Sequence, residues 1–124
     1  MALFEKKEIK LISKLNKLTS KNELQWVVVD APSSLTISTD HNIPLFFKTS
    51  YENKTVVIFQ RNYRSYSDEF DETYWDYEIC LGIMDSRNRV IWEYSPREAT
   101  SALNDLFQSV RNKTSGVEDL LSNL

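Results

Sequence analysis

The chain has 124 residues and a mass of 14.5 kDa, with 41% hydrophobic residues, 27% charged residues and 12% aromatics. That size accommodates one domain, and the balance excludes a disordered tail, a collagen-like repeat and a disulfide-stapled miniprotein. A formal charge of −3 and a pI near 5.2 argue against a general nucleic-acid binder, whose affinity rests on neutralising phosphates.

Helical spacing opens the chain. Phe4, Leu11, Leu15 and Leu18 recur at sevens, fours and threes, and Ile12 widens the stripe, which predicts one amphipathic helix over 4–19. Residues 1–24 carry six lysines (Lys6, Lys7, Lys10, Lys14, Lys17, Lys21) against three glutamates. These lysines read as the wet face of the helix rather than as a nucleic-acid or membrane contact. Thr19-Ser20-Lys21-Asn22 should end the helix, because polar side chains there compete for backbone hydrogen bonds.

From Leu24 to Tyr94 the composition turns to β-type. Trp26–Val29 is a short β-branched run stopped by Asp30-Ala31-Pro32. Leu35–Ser38 alternates and reads as a strand, Asp40-His41-Asn42 as a turn, and Ile43–Thr49 as a further strand. A turn at Ser50–Lys54 leads into a strand over Thr55–Asn62. The clearest strand is Tyr74–Ile83: Trp75, Tyr77, Ile79, Leu81 and Ile83 share one face, while Tyr74, Asp76, Glu78, Cys80 and Gly82 share the other. Such alternation predicts one buried face and one wet or partner-facing face. Asp85–Asn88 is a turn and Arg89–Tyr94 returns. Pairing Met84 with Arg89 sets Ile83 against Val90, Leu81 against Trp92 and Ile79 against Tyr94, so that the apolar faces coincide.

Ser95-Pro96-Arg97-Glu98 supplies a capping serine, a first-turn proline and a glutamate at the third helical position, and Ala99, Leu103, Leu106, Phe107 and Val110 form the stripe of the helix that follows. Ser115-Gly116-Val117-Glu118 repeats the capping box ahead of a short terminal helix through Leu120, Leu121 and Leu124. The expected architecture is therefore α+β, with a single domain over residues 1–124. It has an N-terminal helix, an antiparallel sheet of about five strands, a C-terminal helix and a short terminal helix.

Chemistry is sparse. His41 is the one histidine, and in a turn it reads as an ordinary exposed side chain. Cys80 is the one cysteine. It cannot close an internal disulfide, which points to a reducing compartment, and its acidic neighbours Asp76 and Glu78 disfavour a reactive thiolate. One Cys and one His cannot close a zinc site, and two glycines cannot build a phosphate loop, so no cofactor and no metal are expected. Glu52-Asn53-Lys54, with Asp40 or Asp30 upstream, matches the acid and Glu-x-Lys pattern of metal-dependent nucleases. However, Glu5-Lys6-Lys7 and Glu8-Ile9-Lys10 match the triplet equally well. Arg61–Tyr66 has the arginine and aromatic mix of a single-strand nucleic-acid platform, yet it adjoins a strongly acidic stretch that favours internal charge pairing instead. The N-terminus lacks a signal-peptide core and no run is long enough to span a membrane, so a cytoplasmic location is expected.

The acidic stretch is the most unusual feature. Residues 67–78 hold Asp68, Glu69, Asp71, Glu72, Asp76 and Glu78 with no base, interleaved with Phe70, Tyr74, Trp75 and Tyr77. Charge mixed with rigid aromatic anchors is common at protein-binding hot spots. The plainer alternative is a solvated hairpin loop balanced in part by Arg61 and Arg64. A calcium loop is disfavoured by the missing central glycine and ligand spacing.

At Leu11–Trp26 the pattern Leu, Leu, Leu-Thr, Glu-Leu-Gln-Trp, followed by a hairpin like Ile79–Trp92 and a leucine-bearing helix like Ala99–Val110, resembles a group of short uncharacterised bacterial proteins. Those proteins carry a glycine in the final hairpin where this chain has Ser86-Arg87-Asn88. The resemblance implies an α+β fold and a bacterial or phage origin, and implies no activity. The functional expectation is a non-catalytic protein-binding domain. It would act in an immunity or antitoxin manner, masking a basic partner through Asp68, Glu69, Asp71, Glu72 and Trp75. The alternatives are a nuclease-like enzyme using Asp40, Glu52 and Lys54, a homodimeric structural module, or a secretion chaperone.

Overall fold

A computed structural model describes residues 2–96 and 101–124, with side chains from Lys7 onward. Phe4 of the first apolar stripe, and Arg97, Glu98 and Ala99 at the start of the later helix, lie outside those described side chains. Helix α1 spans Ala2–Ser20, and a meander of five antiparallel strands follows: β1 Val27–Val28, β2 Asn42–Tyr51, β3 Lys54–Ser67, β4 Glu72–Met84 and β5 Val90–Tyr94. Helices α2 (described over Ser101–Ser115) and α3 (Val117–Ser122) close the chain. No described helix is long and apolar enough to cross a membrane.

Helix α1 ends differently from the expectation. Asn22 takes a left-handed φ of 61° while Glu23 N donates to Leu18 O and Asn22 N donates to Thr19 O, which is a Schellman stop with asparagine in place of glycine. Thr19 is not a breaker; it is fully buried. Its hydroxyl donates to Leu15 O at 2.7 Å and accepts the Trp26 indole N–H at 2.9 Å, tying the helix to the start of the sheet.

The expected strand at Leu35–Ser38 is absent. Ser33–Leu35 forms a 3-10 turn entered from Pro32, and the Thr36 and Thr39 hydroxyls donate to carbonyls three residues back. These short-range bonds satisfy groups that a strand would have offered to a neighbour. Between β2 and β3 the turn narrows to Glu52 and Asn53, both at positive φ (49° and 65°), so Tyr51 pairs directly with Lys54.

The last hairpin forms, but not in the expected register. Met84 pairs with Val90, Ile83 with Trp92 and Leu81 with Tyr94, with Ile91 bulging out between them. Asp85 sets this register. Its N–H donates to Arg89 O, and one carboxylate oxygen accepts the N–H groups of Arg87 and Arg89 at 2.9 Å each. The other carboxylate oxygen accepts Arg89 Nε–H at 2.8 Å. The loop is thus three residues long and ends on Asn88 at φ 60°. Val90 consequently turns to the face opposite Trp92 and Tyr94.

Hydrophobic cover decides where the sheet ends as a core. On one face α1 and α2 bury Ile12, Leu15, Phe47, Ile58, Leu81, Leu103, Leu106 and Val110 in one cluster. On the other, the connection from Val29 to Ile43 lies over Phe46, Val57, Phe59, Cys80 and Met84. The expectation of one buried and one wet face for Tyr74–Ile83 is therefore incorrect. Cys80 is fully buried, and a Cβ added at Gly82 would meet the Trp92 carbonyl oxygen at 3.0 Å. Burial changes along β4 rather than across it: Ile79–Met84 are covered on both faces, and Glu72–Trp75 on neither.

The end of the chain follows the expected plan with one change. Glycine, not serine, caps α3: Gly116 takes φ 73°, while the Ser115 hydroxyl donates to Asn112 O at 3.2 Å and accepts Val117 N–H at 3.3 Å. Glu118 pairs forward of that box with Lys113 at 2.9 Å, and Leu120, Leu121 and Leu124 are exposed.

Candidate functional site

The long pairing of β3 with β4 runs without interruption from Thr55–Met84 to Ser67–Glu72. Neighbouring strands stop short of it: β2 reaches β3 only as far as Asn62, and β5 reaches β4 only as far as Leu81. Residues 63–77 therefore leave the sheet as a two-stranded ribbon closed by Asp68–Asp71. Among the described residues no layer covers either face of this ribbon, so its side chains decide how it meets solvent or a partner.

Pairing fixes which side chains share a face. Arg64, Tyr66, Trp75 and Tyr77 lie on the face continuous with the helices, and Tyr63, Ser65, Tyr74 and Asp76 on the other. Trp75 is 53% exposed and Tyr77 61%, and Tyr66, Phe70 and Tyr74 are exposed as well. The Arg64 guanidinium sits 4.9 Å from the centre of the Trp75 ring, a cation–π contact that holds the indole across the ribbon. Arg64 thus supports an aromatic and does not neutralise the acids.

Of the predicted contact residues, Asp68, Glu69 and Asp71 fall in the closing turn and Glu72 opens β4, so these four carboxylates are brought together at the tip. Trp75 is not part of that group. It stands three residues along β4 from Glu72 and projects from the opposite face. The Asp71 carboxylate accepts the Tyr66 hydroxyl, and that bond holds the Tyr66 phenol above its ordinary range because ionising it would set two negative charges together.

Where the ribbon meets the sheet, the structure adds a group that residue-by-residue reading had only partly anticipated. Arg61 is 14% exposed and donates to Glu78 at 3.0 Å and to Glu93 at 2.8 Å, with the Cys80 sulfur 3.6 Å away and the Phe59 ring beneath. The Arg61–Glu78 pair rests on the β3–β4 register, which sets the two residues directly opposite on one face. Glu93 could not be placed without the register of β5. Burial drives the Cys80 thiol up to about 12, against the opposing pull of the Ser95 hydroxyl and Arg61. At Tyr63 the phenol is raised by loss of solvent first, then by the charges of Asp76 and Glu78.

A cleft of about 660 Å³ opens beside this group, lined by Asp76–Ile79 of β4, Arg61 and Tyr63 of β3, and Pro96 and Leu103. His41 also borders it and is half-buried rather than exposed. The residues of the nuclease pattern are far apart. Asp40 precedes β2 and Glu52 follows it, and a ten-residue strand separates them by roughly 30 Å. Among the described residues no three His, Cys, Asp or Glu side chains stand close enough to hold a metal ion. Comparison with known proteins returned no match, whether among protein families, curated proteins or solved structures.

Proposed function

We propose that the chain is a non-catalytic protein-binding domain that holds a basic partner on the β3–β4 ribbon, in the manner of an immunity or antitoxin protein of bacterial or phage origin. The observation that carries this reading is the ribbon's composition in its setting. Residues 63–77 hold five carboxylates against one arginine, and five large aromatics of this ribbon are exposed where no layer of the fold covers them. Exposed aromatics grouped on one projecting element bind where a partner can desolvate them, while the surrounding charge speeds encounter and rejects partners of like sign. Asp68, Glu69, Asp71 and Glu72 supply the field and Trp75 the anchor.

The test is capture from a nuclease-treated bacterial extract by the immobilised chain, against a variant with Asp68→Asn, Glu69→Gln, Asp71→Asn and Glu72→Gln. One basic protein retained by the native chain and lost by the variant supports the reading. Equal retention by both overturns it. Because those four residues lie outside both apolar clusters, the variant should fold normally, which circular dichroism checks.

A further inference from the structure

On the reading that the ribbon receives a basic partner, we propose that the partner docks as an added β-strand: an extended segment bearing lysine or arginine pairs with the outer edge of β4 over Thr73–Tyr77. The edge is open because β5 pairs with β4 only between Leu81 and Met84, and Pro96 follows two residues after Tyr94. Between Glu72 and Cys80 no strand flanks that side of β4 among the described residues. A strand edge of this kind presents backbone N–H and C=O groups that a peptide can complete.

Three further observations say what kind of peptide fits. First, the cleft at this level draws four successive β4 residues, Asp76–Ile79, into its lining together with Arg61 and Tyr63 of β3 and Pro96 and Leu103, and it meets the proposed edge at Asp76 and Tyr77. Second, the side chains bordering the edge alternate, with Trp75 and Tyr77 on one face and Tyr74 and Asp76 on the other. An added strand presents its own side chains to the same two faces, so apolar residues would lie beside the aromatics and basic residues beside Asp76 and Glu72. Opposite charges across neighbouring strands are favourable and like charges are not. Third, Glu78 is engaged by Arg61 and one Asp76 oxygen accepts the Tyr77 N–H at 2.8 Å, so an added strand would have to take over that donor, and Glu72 with the charge of Asp76 is left to select the partner's sign.

The same acids argue against a second copy of this chain as the occupant. Pairing two β4 edges would bring the carboxylates of residues 72 and 76 up against those of the second copy on a ribbon that carries only Arg64 in return. Charged edges are a common guard against self-pairing. Here the guard admits one class of strand, and specificity comes from the sign of the charge it rejects.

The experiment uses the isotopically labelled full chain and three capped peptides: four Lys-Val repeats, the same peptide N-methylated at alternate residues, and four Glu-Val repeats. The expected result is that the Lys-Val peptide shifts and protects the amides of Thr73–Tyr77, with interstrand contacts to that edge. N-methylation, which keeps the charge but removes one row of hydrogen bonds, should weaken binding about tenfold or more. The Glu-Val peptide should not bind the native chain but should bind a variant carrying Glu72→Lys and Asp76→Lys. Equal binding of the N-methylated peptide overturns strand addition while leaving the acidic-surface reading intact. Absence of any shift at millimolar Lys-Val peptide, or protection of the same amides by self-association alone, also overturns the inference. Capture of a basic partner that the neutralised variant loses decides the broader reading separately.

Discussion

Thr19 shows how much one hydroxyl can organise. It accepts the Trp26 indole N–H and donates to a helix carbonyl, both within a dry core, so removing it strands a buried donor. Thr19→Val should cost about 1–3 kcal/mol in urea unfolding, and Thr19→Ser should recover most of that loss. Equal stability for the valine variant would show that the indole finds another partner. Cys80 makes a residue-scale claim about pH. Its folded pKa, near 12, lies above the value of about 8.5 for a free thiol, so the folded state holds its proton more tightly. That contribution is fully present below about pH 8.5 and is lost as pH rises toward 12. The native thiol should therefore resist thiol reagents at pH 8. Cys80→Ala should flatten part of the fall in stability between those limits, measured as the difference from the native chain so that tyrosine and lysine titration cancels.

At the scale of elements, the sequence pattern located most strands and helices but said little about their lengths or alignment. Alternation in Tyr74–Ile83 correctly grouped Trp75 with Leu81 and Asp76 with Cys80, because period two is a property of the extended backbone itself. It could not show that both faces are covered at one end and neither at the other, since cover comes from α1, α2 and the Val29–Ile43 connection. The same alternation misled at Leu35–Ser38, where the Thr36 and Thr39 hydroxyls bond locally. The register of β5 was equally hidden, because it depends on Asp85 closing a three-residue loop. The four acids proposed for contact were legible as a group, whereas the opposite facing of Trp75 and Glu72 needed β4 to begin at Glu72 rather than at Tyr74. Glu52 gives this scale its prediction. It holds φ 49° in a two-residue turn that glycine and asparagine favour. Glu52→Gly should raise stability by about 0.5–1 kcal/mol in chemical denaturation, having relieved the left-handed strain of a side chain. A destabilised variant would mean that the Glu52 side chain makes a contact worth more than the strain.

The molecule as a whole is a sheet with a graded interior, and that gradient predicts its dynamics. Val57, Ile58, Phe59, Cys80 and Leu81 are sealed from both sides, while the ribbon beyond Asn62 and Tyr77 rests on its own cross-strand bonds. Two isolated strands are marginally stable in water, so the ribbon should open without the rest unfolding. Hydrogen exchange is the direct measurement. Amides of residues 56–59 and 80–82 should exchange only through global unfolding, with a denaturant dependence matching the whole chain. Amides of residues 64–75 should exchange faster and with little denaturant dependence. If the two sets exchange together, the ribbon is part of the cooperative core and something other than its own ladder holds it. If they separate as expected, the ribbon is the low-stability end of the fold. A partner that adds a strand there would slow exchange in the ribbon far more than in the core. The same openness lets acids and aromatics gather on the ribbon at little cost to the fold, since the core does not require any of them to be buried.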